Sequence, residues 1–385
     1  MIIGVDVTML VYAGSGVANY TYNFVKTLLE IDKTNEYHLF YSSLRRPKKF
    51  YYLDELKKRG GKIYDFHFPL TLLQLWWSKF HIIPVEWFIG KVDIYLSSDF
   101  LRPPLLSGTK GITTIHDITW KIYPQFHEQR IIKAHEIKLK KTIKYHDTVL
   151  VDSQSTKNDL INYFPKINKK RINVLCPGIG EEFRPINNKE KTKKVLQKYG
   201  ILTTAKYELN NTPFLLYVGA IEPRKNLTLA IKVFSELIKD IEFSDFKFII
   251  AGRAGWKNED VFESIKRLKL QNKIKFIGYV ADQDLPYLYS ATNLSVYLSS
   301  YEGFGFPPLE SLSCGTKVIT GDNSSLKETI EKNFLVDITD ENKILEKMKY
   351  LLTNKIEVNS KGVKEKFAWK NSVDKFLKIV TDFTD

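Results

Sequence analysis

Two glutamates eight positions apart, Glu302 and Glu310, frame the segment EGFGFPPLE. Two carboxylates separated by a glycine- and proline-rich turn suit a polyhydroxylated ligand gripped at two places. The segment follows the apolar run NLSVYLSS and leads into ESLSCG, so it reads as strand, turn and helix, with Pro308 as first helical residue and Gly315 as stop. On that reading Glu310 falls in the first helical turn, where the helix dipole favours a carboxylate, and Glu302 stays in the loop. The amides of Phe304, Gly305 and Phe306 then sit at a helix N-terminus, a site for anionic or hydroxyl oxygens. The plainer alternative makes Glu302 a solvated loop residue and Glu310 a dipole partner.

Three other groups of residues have comparable chemistry. FLLYVG is followed by AIEPRKN and the helical run LTLAIKVFSELI. With Asn226 as N-cap, Arg224 and Lys225 stand at a strand-to-helix corner beside free amides. A guanidinium fork and an ammonium point charge there suit a diphosphate, the alternative being a solvated basic turn. In GITTIHDITW, His116 and Asp117 stand at the C-terminal end of a strand, the functional edge of an open parallel sheet. A structural histidine is the other reading. Gly14 and Gly16 precede an apolar-periodic helix and form either a phosphate cradle or a tight turn. Asn19 stands where a dinucleotide fingerprint has its third glycine, which argues against a nicotinamide or flavin site.

The elements that must hold these residues alternate short apolar runs with longer amphipathic ones. The expected strands are IIGVDV, YHLFYS, KIYDF, VDIYLSS, GITTIHD, DTVLVDS and RINVLC, then FLLYVG, FKFIIAG, KIKFIG, NLSVYL and TKVIT. Near-continuous apolar strands separated by helices imply buried parallel sheets. The polar stretch PGIGEEFRPINNKEKTKK reads as a connection, giving tandem α/β domains over 1–185 and 186–365 with a cleft between facing strand ends. A last helix at 366–385 has no place in the second sheet and is expected to pack back on the first domain.

A chain of 385 residues exceeds one ordinary core, which supports two domains. No run reaches the ~18 apolar residues of a membrane span, and MIIGVDVTML lacks the basic flank and cleavage site of a signal peptide, so a cytoplasmic protein is expected. Cys176 and Cys314 lie outside metal-ligand spacing and read as small buried hydrophobes. Of the net charge of +14, residues 1–185 carry +9, with 27 Lys and Arg against 18 Asp and Glu. The excess gathers in RRPKK, KKRGGK and the helix-spaced IIKAHEIKLKKTIKYH, with Lys133, Lys138, Lys140, Lys141 and Lys144. Such a helix lies on an anionic membrane surface or forms a solvated face. Nucleic acid is not expected as a partner, because no recognition motif accompanies the charge. Trp76, Trp77 and Trp87 form either an acceptor- or membrane-facing aromatic surface or buried helix packing.

The motifs GSGVANYT, HDITWKIYPQFH, VDSQSTKNDLINYF, INVLCPGIGEEFRP, YVGAIEPRKNL, IIAGRAGW, IKFIGYV and EGFGFPPLESLSCGTKVI together resemble the retaining nucleotide-sugar glycosyltransferases of family 4, O-antigen mannosyltransferases among them. The resemblance implies a GT-B fold: two Rossmann-like domains, the acceptor on the first and the nucleotide on the second. By position it implies that Arg224 and Lys225 neutralise the donor diphosphate and Glu310 binds the ribose. Glu302 and the amides of Phe304 to Phe306 would hold the donor sugar. Gly16 would approach the distal phosphate, and His116, with Asp117 beside it, would face the anomeric carbon. The base would lie on Gly278, Tyr279 and Val280. Gly14, Gly219 and Gly252 join the substrate-binding set through their motifs. Many relatives have an arginine where this chain has Asn19, so the contact it would make lacks its usual residue.

The expected reaction is transfer of a hexose from a nucleotide sugar to a saccharide or lipid-linked acceptor. Two cations can stabilise the leaving diphosphate, no D-x-D cluster stands beside them, and neither metal nor other cofactor is expected. Glu302 and Glu310 are committed to donor hydroxyls, which favours front-face attack by the acceptor over a double displacement. The competing readings are a nucleotide-sugar epimerase or a phosphorylase of the same fold, and a catalytically dead basic protein on the membrane.

Overall fold

The computed structural model describes residues 1–12, 14–44, 50–97, 100–202, 213–255 and 257–383. The RRPKK run at 45–49 and Trp256 of IIAGRAGW lie outside them. The chain forms two units, the first comprising Met1–Gly178 and Phe367–Asp385, the second Ile179–Lys366.

The first unit holds seven parallel strands: β1 (Ile2–Asp6), β2 (Glu36–Ser42), β3 (Lys62–Phe66), β4 (Ile94–Ser97), β5 (Lys110–Ile115), β6 (Thr148–Val151) and β7 (Ile172–Val174), in spatial order β3-β2-β1-β4-β5-β6-β7. The second holds β8 (Phe214–Val218), β9 (Lys247–Ala251), β10 (Ile274–Gly278), β11 (Leu294–Tyr297), β12 (Val318–Gly321) and β13 (Leu335–Val336), also parallel, in order β10-β9-β8-β11-β12-β13. The expected strands are present. β13 was not expected, because two residues are too short for any alternation to register. Each sheet reverses its winding once, between β1 and β4 and between β8 and β11, which opens a crevice outside the carboxyl ends of those strands.

The helix Gly16–Ile31 is capped by Ser15, whose hydroxyl accepts from the Ala18 amide at 3.2 Å. Its Tyr20 and Phe24 meet Trp369 and Phe376 of the last helix, Trp369–Thr381, with ring centroids 5.5 and 5.2 Å apart. Trp369, Val373, Phe376 and Val380 recur at helical spacing and are all buried, so this stripe attaches residues 367–385 to the first unit. The first unit ends before 185 because Phe183 packs on Tyr289 and the Ile186 amide donates to Ser290 Oγ at 3.1 Å.

Packing corrects several surface expectations. In the helix Gln129–Lys144, Lys138 is buried and its ammonium donates to the Thr114 carbonyl on β5 at 2.8 Å. Lys141 is half-buried and donates to the Trp77 carbonyl at 2.7 Å; burial, then Arg102 and Lys144, pull its pKa down to about 8. Only Lys133, Lys140 and Lys144 of the five lie on the exposed face. The tryptophans divide as well: Trp77 is 0% exposed and donates to Ile83 O at 3.0 Å, Trp76 packs on Phe68 and Phe88, and Trp87 is 70% exposed. Cys314 is buried but Cys176 is exposed between buried Leu175 and Pro177, with its carbonyl accepting from Ser372 Oγ of the last helix.

Candidate active site

A buried cluster of charges lies at the reversal point of the second sheet. Beyond β8 the chain makes a short 3-10 turn, Pro223–Lys225, and enters the helix Leu227–Leu237. Asn226 does not cap that helix with its side chain; it adopts a left-handed backbone (φ 53°, ψ 37°), which asparagine tolerates better than most residues. The kink brings Arg224 and Lys225 over the carboxyl end of β11, where the Ser300 amide donates to the Arg224 carbonyl at 2.9 Å.

Both cations converge on Glu302. Arg224 Nη1 donates to Glu302 Oε2 at 2.8 Å and to the Tyr301 carbonyl at 2.8 Å, while its Nη2 donates to Glu222 Oε1 at 2.9 Å. Lys225 Nζ donates to Glu302 Oε1 and to Tyr297 Oη, both at 2.7 Å, and Tyr297 Oη donates to Glu302 Oε1 at 2.9 Å. Glu302 is 6% exposed, and the solvated-loop alternative is wrong for it. Burial alone would raise its pKa, but Arg224 and Lys225 outweigh that and hold it down to about 2. Burial and the neighbouring Arg224 depress Lys225. The backbone of Glu302 is fixed too, its amide donating to Ser324 Oγ and its carbonyl accepting from Ser325 Oγ, each at 2.9 Å.

At the other end of the turn, the helix spans Phe306–Ser313, with Gly305 as N-cap at φ 95°. Phe306 rather than Pro308 is the first helical residue, since the left-handed glycine turns the chain two residues earlier. Glu310 consequently lies beyond the first turn and loses the expected support of the dipole. Its carboxylate accepts one hydrogen bond, from Tyr289 Oη at 2.9 Å. Burial, only partly countered by Tyr289 and reinforced by Asp282 and Glu182, pushes its pKa up to about 8.

Gly219 and Gly252 end β8 and β9 side by side, and a β-carbon at Gly252 would overlap the Gly219 carbonyl oxygen. Only glycine permits this approach of two backbones at the strand ends. Gly278 closes β10; beyond it Tyr279 is 44% exposed with Arg253 4.7 Å from its ring centroid, and Val280 is buried.

His116, Asp117, Gly14 and Gly16 belong to the first unit. His116 Nδ1 lies 2.8 Å from Asp152 Oδ2, and its ring meets Tyr20 edge-on at 4.7 Å. With Nδ1–H donating to the carboxylate, Nε2 carries the lone pair. The carboxylate that orients His116 is therefore Asp152 of VDSQST, at the end of the neighbouring strand β6, and not the adjacent Asp117. Asp117 instead accepts from the Thr119 amide and hydroxyl at 2.9 and 2.6 Å. Gly14 is left-handed at φ 79° and Gly16 opens the helix that carries Tyr20. Sequence reasoning missed Asp152, Glu222 and Tyr297; the only available signal was that each stands at or just beyond the end of an expected strand. Among the described residues, no group of three or more His, Cys, Asp and Glu is placed to hold a metal ion.

A family model described as glycosyl transferases group 1 matches residues 202–366. That match and the paired winding of the two sheets decide the assignment. The chain has the GT-B fold, and its residues 202–366 match the glycosyl transferases group 1 family. It is 28% identical over 324 residues to O-antigen chain mannosyltransferase B of Escherichia coli, covering 83% of this chain and 82% of that protein. Over its whole length the chain matches the fold of sucrose-phosphate synthase from Thermosynechococcus elongatus, with a TM-score of 0.74, 16% identity and 99% of that chain covered. Anabaena HepE, crystallised with UDP-glucose, aligns over 99% of both chains with a TM-score of 0.68 and 14% identity.

Proposed function

We propose that the chain is a retaining, metal-independent hexosyltransferase of family 4. It takes a hexose, mannose in the first instance, from a nucleoside-diphosphate donor to a saccharide or lipid-linked acceptor. The observation that carries this reading is the convergence of Arg224 and Lys225 on the carboxylate of Glu302 at the reversal point of the second sheet. A leaving diphosphate develops negative charge, and two fixed cations in a protected site stabilise it without a divalent ion. Glu302 and the amides of Phe304, Gly305 and Phe306 hold the sugar, Glu310 the ribose, and the backbone of Gly278 to Val280 the base. Gly16 approaches the distal phosphate, and His116, oriented by Asp152, serves the anomeric region. The acceptor hydroxyl attacks the anomeric carbon from the face the diphosphate leaves; as the old C–O bond breaks, the hydroxyl proton passes to the departing phosphate oxygen. The relative from E. coli named as a mannosyltransferase supports the choice of sugar, and UDP-glucose in HepE belongs to the proposed donor class.

Leu75, Phe80, Ile82 and Trp87 are exposed on the first unit, and exposed Lys79, Lys140 and Lys144 supply cationic charge there. These support a peripheral position on an anionic membrane, where lipid-linked acceptors lie. No described helix is long and apolar enough to cross a membrane. The test is a thermal-shift panel of nucleotide sugars: a donor at 100 times its Kd adds ~2.7 kcal/mol to stability. Stabilisation by GDP-mannose, followed by mannose transfer with the anomeric configuration kept, is expected. If no nucleotide sugar stabilises the protein, or if transfer needs a divalent ion, the proposal is wrong.

A further inference from the structure

The described residues of the first unit also line a cavity of about 540 Å³ that the proposed transfer does not use. It opens at the amino ends of the strands. Lys110 begins β5, Tyr145 and His146 precede β6, and Arg171 precedes β7. His116 follows the far end of β5, roughly 16 Å away at 3.3 Å per residue. The cavity is therefore distinct from the carboxyl-end crevice.

Its walls are strongly cationic. Arg102, Lys110 and Arg171 line it with His81 and His146. The carboxylate held against Arg102 is Asp147, which accepts from its Nε at 3.0 Å and its Nη2 at 2.7 Å and also from Thr113 Oγ1 at 2.8 Å. Asp147 and Arg102 thus neutralise each other, the remaining Arg102 Nη1 donating to the Pro103 carbonyl at 2.8 Å, and the unbalanced charge on the walls is that of Lys110 and Arg171. Arg171 holds the far wall through Nη1, which donates to the His146 carbonyl at 2.7 Å. Tyr145 supplies an aromatic face, with Arg102 at 4.5 Å and the His81 ring stacked at 4.9 Å. The surplus positive charge is felt by its neighbours: after burial, Lys141, Arg102 and Lys144 all lower the pKa of His81. Bringing an anion into such a cavity relieves that repulsion, whereas a cation or a neutral ligand leaves it unrelieved.

The geometry points to a second, anion-binding site at the amino edge of the first sheet, built by Lys110, His146 and Arg171 and taking a phosphate or diphosphate group. One wall, the loop after Arg102, is pinned to residues 85–86 by Val85 N donating to Pro104 O at 3.2 Å and Leu106 N donating to Glu86 Oε1 at 3.0 Å, immediately before exposed Trp87. The phosphate can therefore belong to a soluble ester or to a lipid headgroup.

The experiment compares the full chain with a Lys110→Gln/Arg171→Gln double variant, both positions being exposed so that the fold is preserved. Arg224→Ala serves as the control that removes the proposed donor-diphosphate site. In one arm pyrophosphate is titrated by calorimetry; in the other, phosphatidylglycerol vesicles are sedimented with the protein. The expected result is a pyrophosphate site that survives Arg224→Ala and weakens at least tenfold in the double variant, or vesicle binding that weakens by the same factor. The first identifies a soluble phosphate and the second a headgroup. Lys110→Glu, which puts a carboxylate into the wall, must weaken the same arm further. Donor-sugar hydrolysis stays unchanged in the Lys110→Gln/Arg171→Gln double variant and in Lys110→Glu, so loss of the transferase reading and loss of this one are separable. If the double variant matches the wild type in both arms, or if Arg224→Ala abolishes all pyrophosphate binding and vesicle binding is unaffected by the double variant, there is no such site.

Discussion

Glu302 and Glu310 close the two ends of one turn, and their surroundings drive them to opposite acidities. Glu302 is buried among two cations and a phenol and held at about 2; Glu310 is buried with one phenol, near two other carboxylates, and pushed to about 8. Burial acts on both in the same direction, so the difference is one of partners rather than of depth. The lesson is that one end of the turn is a fixed negative charge that organises the cations, while the other gains or loses a proton near neutral pH. The largest test of that contrast is to remove the cations. Arg224→Ala or Lys225→Ala is expected to lower turnover about 100-fold or more, with weaker donor binding. Steady-state kinetics unchanged in both variants would show that the cations serve Glu302 alone.

Glu302→Gln should have an effect of similar size, on stability. It leaves Arg224 and Lys225 buried without their shared counter-charge, and breaking such a pair costs about 3 kcal/mol or more. Urea unfolding at neutral pH measures this, and a loss below about 1 kcal/mol would mean that the cluster contributes little to the fold. Glu310→Gln, in contrast, removes no ion pair, so its effect belongs to the ligand. It should weaken bare nucleoside diphosphate about tenfold, near 1.4 kcal/mol, whereas Glu302→Gln spares the nucleotide and penalises the sugar donor. Calorimetry giving the reverse ranking would exchange the two roles.

The pH dependence of stability separates the two residues by sign rather than by size. Glu302, depressed from 4.5 to about 2, contributes stability above pH 4.5 that is lost as pH falls toward 2. Glu310, raised from 4.5 to about 8, contributes stability that is complete below pH 4.5 and lost as pH rises through 8. Comparing each Gln variant with the wild type between pH 3 and 9, by denaturant melts, should therefore show the wild type losing ground on the acid side through Glu302 and on the alkaline side through Glu310. Parallel pH profiles for the two variants would contradict the assigned environments.

The strands were legible because parallel sheets buried on both faces demand continuous β-branched and apolar runs, as in TVLV of β6 and FIIA of β9. The corner residues were legible because glycine, proline and paired charges follow those runs at short range. Lys138 and Lys141 were misjudged as surface charges, since helical spacing alone does not say which side of a helix a sheet will cover. Asp152 was missed as the partner of His116 because they are 36 positions apart and meet only when β5 and β6 pair.

By itself, the sequence determined the two α/β units, the order of their strands along the chain, and the presence of Arg224, Lys225, Glu302 and Glu310 in turns after strands. These follow from local periodicity and backbone preference, which act over a few residues. Only the tertiary structure decided that Glu302 bridges both cations, that Glu310 resists ionisation, that His116 answers to Asp152, and that the basic groups before β5, β6 and β7 share a cavity. The physical reason is that charge–charge energies and desolvation depend on distances in space, and strand pairing sets those distances between residues that are remote along the chain.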